Sequence, residues 1–381
     1  MRKILFTAVL VAGILCAAGV RAEEPAKDAR LLGLPPVPYP ADNPQTPEKI
    51  ALGEKLFNDI RFSSTGAVSC ATCHATNKAF TDGPLSVSEG INKLTGTRNA
   101  PTVINAAYST TMFWDGRSPS LEEQSLHPFL NPVEMALKDH QPILDIVRSD
   151  PAYVNAFEKV FGKKGEAVTM TEVTQAIAAF ERTIVGGNSP FDRWRYSGEE
   201  DALTPQQKRG FDLFVNEGRC VSCHRVEETQ ALFTDNRFHN IGVGINAIQD
   251  EVPALAGEFI KADASAAEVD VQVLTDKRTS ELGRFAHSRD FDNLGSFKTP
   301  TLRNIALTAP YMHDGSQKTL LDVVKHYNNG GVTNEGDRVN DFLSGGIRPL
   351  GLTDAQMDDL VAFMEALTTP EFAQMAQAAA K

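Results

Sequence analysis

The residues of this 381-residue chain best suited to chemistry lie in two pentapeptides, Cys70-Ala71-Thr72-Cys73-His74 and Cys220-Val221-Ser222-Cys223-His224. Two thiols separated by two residues can reach the two vinyl groups of one porphyrin, and the histidine that follows can bind the iron from the proximal side. Of the five cysteines, all but Cys16 belong to these motifs, so none remains for a structural disulfide. A zinc ribbon sets its cysteine pairs about fifteen to twenty residues apart, far closer than Cys73 and Cys220. A redox dithiol has no need of the same histidine twice. The motifs therefore predict two covalently attached haems c, held through Cys70, Cys73, Cys220 and Cys223, with His74 and His224 on the irons.

The elements that position these motifs are themselves duplicated. Ahead of each comes a Thr-Pro helix start and a Gly-x-x-Leu-Phe element: Thr46-Pro47 with Gly53, Leu56 and Phe57, then Thr204-Pro205 with Gly210, Leu213 and Phe214. Threonine as cap and proline in the first turn are helix-start signals. Behind each motif a second match runs without gaps at a constant offset of 199: Pro101-Thr102 with Pro300-Thr301, Asn105 with Asn304, Asp115-Gly116 with Asp314-Gly315, Leu121 with Leu320. A register held over more than twenty residues predicts a mainly α protein of two cytochrome c-like haem domains related by internal duplication. Residues 23–200 form the first and 201–381 the second, with the boundary between Gly198 and Ala202. Val173, Ile177, Phe180 and Ile184 make one apolar stripe, and Met357, Leu360, Val361, Met364 and Leu367 another behind a Thr353/Gln356 capping box. Gly- and Pro-rich stretches supply the rest, without an alternating strand pattern of useful length.

The same register asks what stands above each iron. Tyr327 falls on Pro128, and His326 on His127. A phenolate can ligate ferric haem, whereas proline has no side-chain donor. If this position faces the iron, the second haem is closed and the first open. His326 and Met312 are rival ligands; neighbouring helix residues point about 100° apart, so His326 and Tyr327 cannot both serve one iron.

Arg2 and Lys3 precede an apolar run from Ile4 to Gly19 and the small-residue site Val20-Arg21-Ala22, which reads as an export signal cleaved after residue 22. Gly13-Ile14-Leu15 lacks the small residue expected just before a lipidated cysteine, so Cys16 reads as part of the signal. The remainder has no span long and apolar enough to cross a bilayer, and a periplasmic location is expected. Loss of residues 1–22 removes Arg2, Lys3 and Arg21 and no acid, moving the formal charge from −12 to −15. That charge argues against nucleic acid as a partner and suits a basic electron carrier.

The motifs together resemble the bacterial di-haem cytochrome c peroxidases and MauG. The resemblance rests on both haem motifs and on Phe113-Trp114-Asp115-Gly116-Arg117, Leu121-Glu122-Glu123-Gln124, Asn131-Pro132-Val133-Glu134-Met135, Ala179-Phe180-Glu181-Arg182, and Thr299-Pro300-Thr301-Leu302-Arg303-Asn304 through His313-Asp314-Gly315. It implies that the N-terminal haem meets hydrogen peroxide, that Glu134 and Gln124 line its distal pocket, and that Trp114 lies between the haems. It also implies a calcium ion held by Asn99, Thr308 and Pro310. Many members carry a removable histidine ligand after the first haem motif, but this chain has no histidine between His74 and His127. The usual methionine above the second haem is replaced by tyrosine in His326-Tyr327-Asn328-Asn329-Gly330-Gly331, as in MauG. Both departures point to a first iron open at rest.

The expected activity is peroxide reduction with electrons from a small cytochrome c or copper protein. One alternative is peroxide-dependent oxidation of a protein substrate, as by MauG. Another is a plain electron-transfer cytochrome, which requires both irons to be six-coordinate with protein ligands.

Overall fold

The computed structural model describes residues 28–332 and 337–379; the expected export signal lies outside them. The repeat is visible first as two helix crossings. Thr46 caps Pro47–Phe57, its side chain accepting from Lys49 N at 3.2 Å. Thr204 caps Pro205–Val215 through a capping box with Gln207. The first helix crosses Met170–Glu181 and the second crosses Asp354–Glu365.

The glycines mark where the backbones touch. A Cβ on Gly53 would stand 1.9 Å from Ala176 O, and one on Gly210 1.9 Å from Asp359 O. Leu56, Phe57, Leu213 and Phe214 then turn inward and are buried. The two helical stripes fall where expected, although Ile184 and Leu367 lie just beyond the helix ends.

The offset of 199 holds in three dimensions. Asn105 and Asn304 both adopt left-handed backbone, at φ 64° and 62°, as do Phe113 and Met312, at 66° and 73°. Thr102 Oγ1 donates to Ala79 O at 2.6 Å, and its mate Thr301 Oγ1 donates to Leu232 O at 2.7 Å. The copies also fasten each other. Asn99 N donates to His313 O at 2.7 Å, and the mate of that bond, Lys298 N to Trp114 O, measures 2.7 Å. The relation is that of an isologous interface within one chain, each copy offering the other the same backbone edge.

Not all of the remainder is loop. Between His224 and Pro300 the chain folds four helices, Val252–Ala262, Ala266–Thr275, Lys277–Glu281 and Phe285–Ser288, around a core of Val252, Phe259, Val273, Leu282 and Phe285. Only one sheet occurs among the described residues, a two-residue antiparallel pair of Phe238–His239 with Phe297–Lys298.

Gly210→Ala should cost about 1–3 kcal/mol, the range for overpacking a tight contact. Thermal unfolding of the haem-loaded protein checks this: the melting midpoint should fall for Gly210→Ala and stay within error for Gly257→Ala, where a Cβ would meet nothing within 4 Å.

Candidate functional site: two haem cradles opening on one cavity

Both pentapeptides form a tight turn, with His74 N donating to Cys70 O at 3.0 Å and His224 N to Cys220 O at 2.8 Å. The turn carries the thiols and the imidazole on one side. All four cysteines are half-buried and unpaired. His74 Nδ1 donates to Phe80 O at 3.2 Å and His224 Nδ1 to Phe233 O at 2.9 Å. Phe80 and Phe233 present these carbonyls from left-handed backbone, at φ 56° and 52°. Fixing Nδ1 as donor leaves Nε2 as the metal-binding nitrogen. Burial lowers both imidazole pKa values, which keeps the rings neutral, as a ligand must be. These donors suit covalent haem c in both cradles.

His74 and Cys73 line one end of a continuous cavity of about 820 Å³, and His224, Cys220 and Cys223 line the other. Pro128, Gln124 and Glu134 belong to the first part of its wall, while Tyr327 and Val323, mates of Pro128 and Gln124, belong to the second. Tyr327 is on Leu320–Asn328, a helix with a Thr319/Asp322 capping box. In the first copy this element is broken into two single turns, Leu121–Gln124 and His127–Leu130, with Pro128 in the first turn of the latter. His326, the rival to Tyr327, is buried and bonds Ile241 O through Nε2 at 2.8 Å, while Met312 lines the cavity with Tyr327.

Glu134 is set by its loop. Ile91 N donates to Glu134 O at 2.9 Å, and a Cβ on Gly90 would lie 2.0 Å from Val133 O. Its Oε2 is buried and has no hydrogen-bond partner among the described residues. Burial pushes the carboxyl up to about 7 against the pull of Arg117. Trp114 also lines the cavity, its Nε1 donating to Asn99 O at 2.9 Å.

Comparison with known proteins agrees with this geometry. The family profile described as di-haem cytochrome c peroxidase matches residues 47–201, and that described as cytochrome c matches 207–368. Cytochrome-c peroxidase IdrP1 of Denitromonas iodatirespirans is 36% identical, the alignment covering 95% of this chain and 92% of that protein. Methylamine utilization protein MauG of Methylorubrum extorquens is 36% identical over 87% of this chain and 81% of its own length. Among solved structures, a MauG-like protein associated with microbial copper homeostasis superposes with a TM-score of 0.71 at 32% identity, covering 89% of this chain and 95% of that one. The di-haem peroxidase BthA of Burkholderia thailandensis gives 0.67 at 25% identity, covering 87% and 88%. The chain belongs to the di-haem cytochrome c peroxidase family. It is an oxidoreductase of the type that acts on hydrogen peroxide.

In this family member the Trp114 loop is held by charges the motifs did not reveal. Asp115 is fully buried and accepts from Arg98 Nη1 at 2.5 Å and Arg117 Nη1 at 3.0 Å, with His287 Nε2 3.3 Å away. Burial alone would raise its pKa, but Arg117 and Arg98 together hold it well below the usual range. Arg117 also bonds Asp270 at 2.6 Å, Arg98 bonds Ser280 O at 3.1 Å, and Arg284 bonds Asp115 O at 2.9 Å. The helices between His224 and Pro300 thus clamp the loop that bears Trp114. Two further cavity groups were given no role by the motifs. Glu181, with Oε2 buried and unpartnered, is pushed by burial up to about 8. The Lys298 ammonium, pulled down by burial to about 8, donates to Thr111 O at 2.5 Å.

Asn99, Thr308 and Pro310 line the same cavity, and Asn99 Nδ2 donates to Ser86 O at 3.2 Å, which leaves its carbonyl oxygen as the remaining donor atom. Among the described residues no hydrogen bond reaches the carbonyl oxygens of Thr308 or Pro310. Three uncommitted oxygens suit a hard cation.

Replacing Cys220 and Cys223 together by Ala should lower the covalent haem content from two per chain to one, read by haemochrome absorbance. Asp115→Asn leaves the buried Arg98 guanidinium without a carboxylate partner, and unfolding of the haem-loaded protein should show a loss of about 3–5 kcal/mol.

Proposed function

We propose that this protein reduces hydrogen peroxide to water in the periplasm, with peroxide entering the first cradle and electrons the second. The observation that carries the reading is the side-chain difference between the two copies within one cavity: Pro128 and Gln124 beside the buried carboxyl of Glu134 on one side, Tyr327 and Val323 on the other. Each turnover joins one peroxide with two electrons and two protons to give two waters. Bound haem iron supplies the seat for peroxide and the electrons that break its O–O bond.

The side chains supply the rest. Glu134 as carboxylate takes the proton from the near oxygen and returns it to the far one, which then leaves as water. Gln124 orients the peroxide by hydrogen bonding. Pro128 offers no donor atom, so no side chain closes that position. Tyr327 would hold bound haem iron in the second cradle through its phenol oxygen, whose pKa burial raises. Trp114, held between the cradles, carries charge from one to the other. Calcium at Asn99, Thr308 and Pro310 steadies the same interface. Cleavage after residue 22 would deliver the chain to the periplasm, and no helix among the described residues is long and apolar enough to cross a membrane. The donor is a small cytochrome c or a copper protein.

A second reading, peroxide-dependent oxidation of a protein partner, is favoured by Tyr327 and by the relatedness to MauG. Against it, the chain has only two tryptophans, Trp114 and Trp194. Two equivalents of reduced cytochrome c consumed per peroxide select the first reading; no consumption, with oxidation of one specific protein, selects the second.

Mixing the ferric protein with peroxide in a stopped-flow cell should change the haem spectrum without prior reduction. Two irons that both stay six-coordinate with protein ligands would overturn the proposal. Glu134→Gln should slow that step by about 10²–10⁴-fold. Because the carboxylate is the competent form and the group titrates near 7, the second-order rate should rise about tenfold per pH unit below that point and level off above it. In Glu134→Gln this rise should vanish. Tyr327→Phe should alter the low-spin haem spectrum alone; an unchanged spectrum would shift the assignment to Met312 or His326.

A further inference from the structure

The constant register maps the calcium residues onto the first copy. Asn99 falls on Lys298, Thr308 on Ser109 and Pro310 on Thr111. The mapping is physical as well as numerical, because Asn99 and Lys298 make the two reciprocal 2.7 Å backbone bonds across the interface. Downstream, Met112 N to Ser118 O and Tyr311 N to Gln317 O are matching 2.7 Å bonds. At Pro310 the carbonyl accepts no hydrogen bond among the described residues. At its mate Thr111 the carbonyl accepts the Lys298 ammonium at 2.5 Å. Thr111 Oγ1 is also buried there without a partner.

We infer that the Lys298 ammonium is a built-in cation occupying the twin of the calcium seat, so that the duplicated interface has two cation positions of which only one takes a free ion. The inference rests on the calcium reading at Asn99. An ammonium on a four-carbon stem brings positive charge to backbone carbonyls much as a hard cation does, and it cannot be chelated away. Its position also follows from charge: Lys298 N holds Trp114 O, and the fully buried Asp115 carboxylate is the next residue. A fixed cation there keeps the Trp114 side of the interface independent of calcium supply, while the His313 side, tied to Asn99 N, depends on it.

The test is metal content and melting temperature, which need no turnover. The haem-loaded protein is stripped with EGTA, titrated with calcium chloride in a calorimeter, and melted with and without calcium, its haem spectrum confirming the fold. The wild type should bind one calcium per chain. Lys298→Asn, which restores the Asn99 side chain at the twin position, should bind two and regain with calcium the midpoint it loses without it. The converse variant Asn99→Lys should bind none and melt at the same temperature with calcium or EGTA. A wild type that binds two, a Lys298→Asn that folds and binds one, or an Asn99→Lys that still responds to calcium each overturns the inference. A wild type that binds none sinks the calcium reading and this inference with it, leaving the peroxide reading untouched.

Discussion

Two hydrogen bonds of equal length set the architecture: Asn99 N to His313 O and Lys298 N to Trp114 O. Each copy of the haem module lays the same backbone edge against the same loop of its twin, so the interface is complementary to itself and closes without a third element. Because those loops carry Trp114 and His313, the bonds that join the copies also bring a ring from each into the cavity wall. The shared cavity follows from this arrangement, since two modules fastened at that edge bring His74 and His224 to opposite ends of one space. Side chains then strengthen the two sides differently. Asp115 with Arg98 and Arg117 braces the Trp114 loop, while His313 stacks on Phe297 at 3.6 Å and bonds Glu281 at 2.8 Å.

The backbone is therefore nearly symmetric and the chemistry is not. Substitutions at mated positions separate the roles: Pro128 against Tyr327, Gln124 against Val323, Trp114 against His313, Asn99 against Lys298. A glycine contact makes this tolerable. With Gly53 and Gly210 pressing helices together at 1.9 Å from a neighbouring carbonyl for any added Cβ, each module keeps its frame through packing remote from the iron positions. Cavity positions such as Pro128 and Tyr327, which lie off the crossing helices, can then diverge while that contact is kept.

Much of this was legible in the sequence because it depends on short-range chemistry. A Cys-x-x-Cys-His turn closes within five residues, and a gap-free offset carries Tyr327 onto Pro128 without any knowledge of packing. What resisted reading depends on partners far along the chain. His326 bonds Ile241 O, and Asp115 acquires its counter-charges from Arg98 and Arg117. The helices of Val252–Ser288 escaped the pattern although Ser265 and Glu268 form a capping box and Val252, Ala256 and Phe259 share a helical face. Glu181 and Met364 occupy matching places on the crossing helices, yet only the fold shows that both line the cavity.

That last pair points to how protons and electrons are kept apart. Both carboxyls that burial pushes toward neutrality, Glu134 to about 7 and Glu181 to about 8, are contributed by first-copy elements. At the positions mated to Glu181, Gln124 and Pro128 the second copy has Met364, Val323 and Tyr327, of which only the phenol can ionise, and burial opposes that. A desolvated carboxyl poised near neutral pH exchanges a proton at little cost, whereas thioether and aliphatic groups exchange none. On the proposed reading, protons are consumed only where peroxide is split, and the second centre needs to change its charge by electrons alone. Aliphatic and thioether side chains at the mates of Gln124 and Glu181 favour this, since proton uptake coupled to each electron would slow its passage toward Trp114. On that reading the cradles differ in which side chains the duplicated frame presents to a cavity that buries both sets alike.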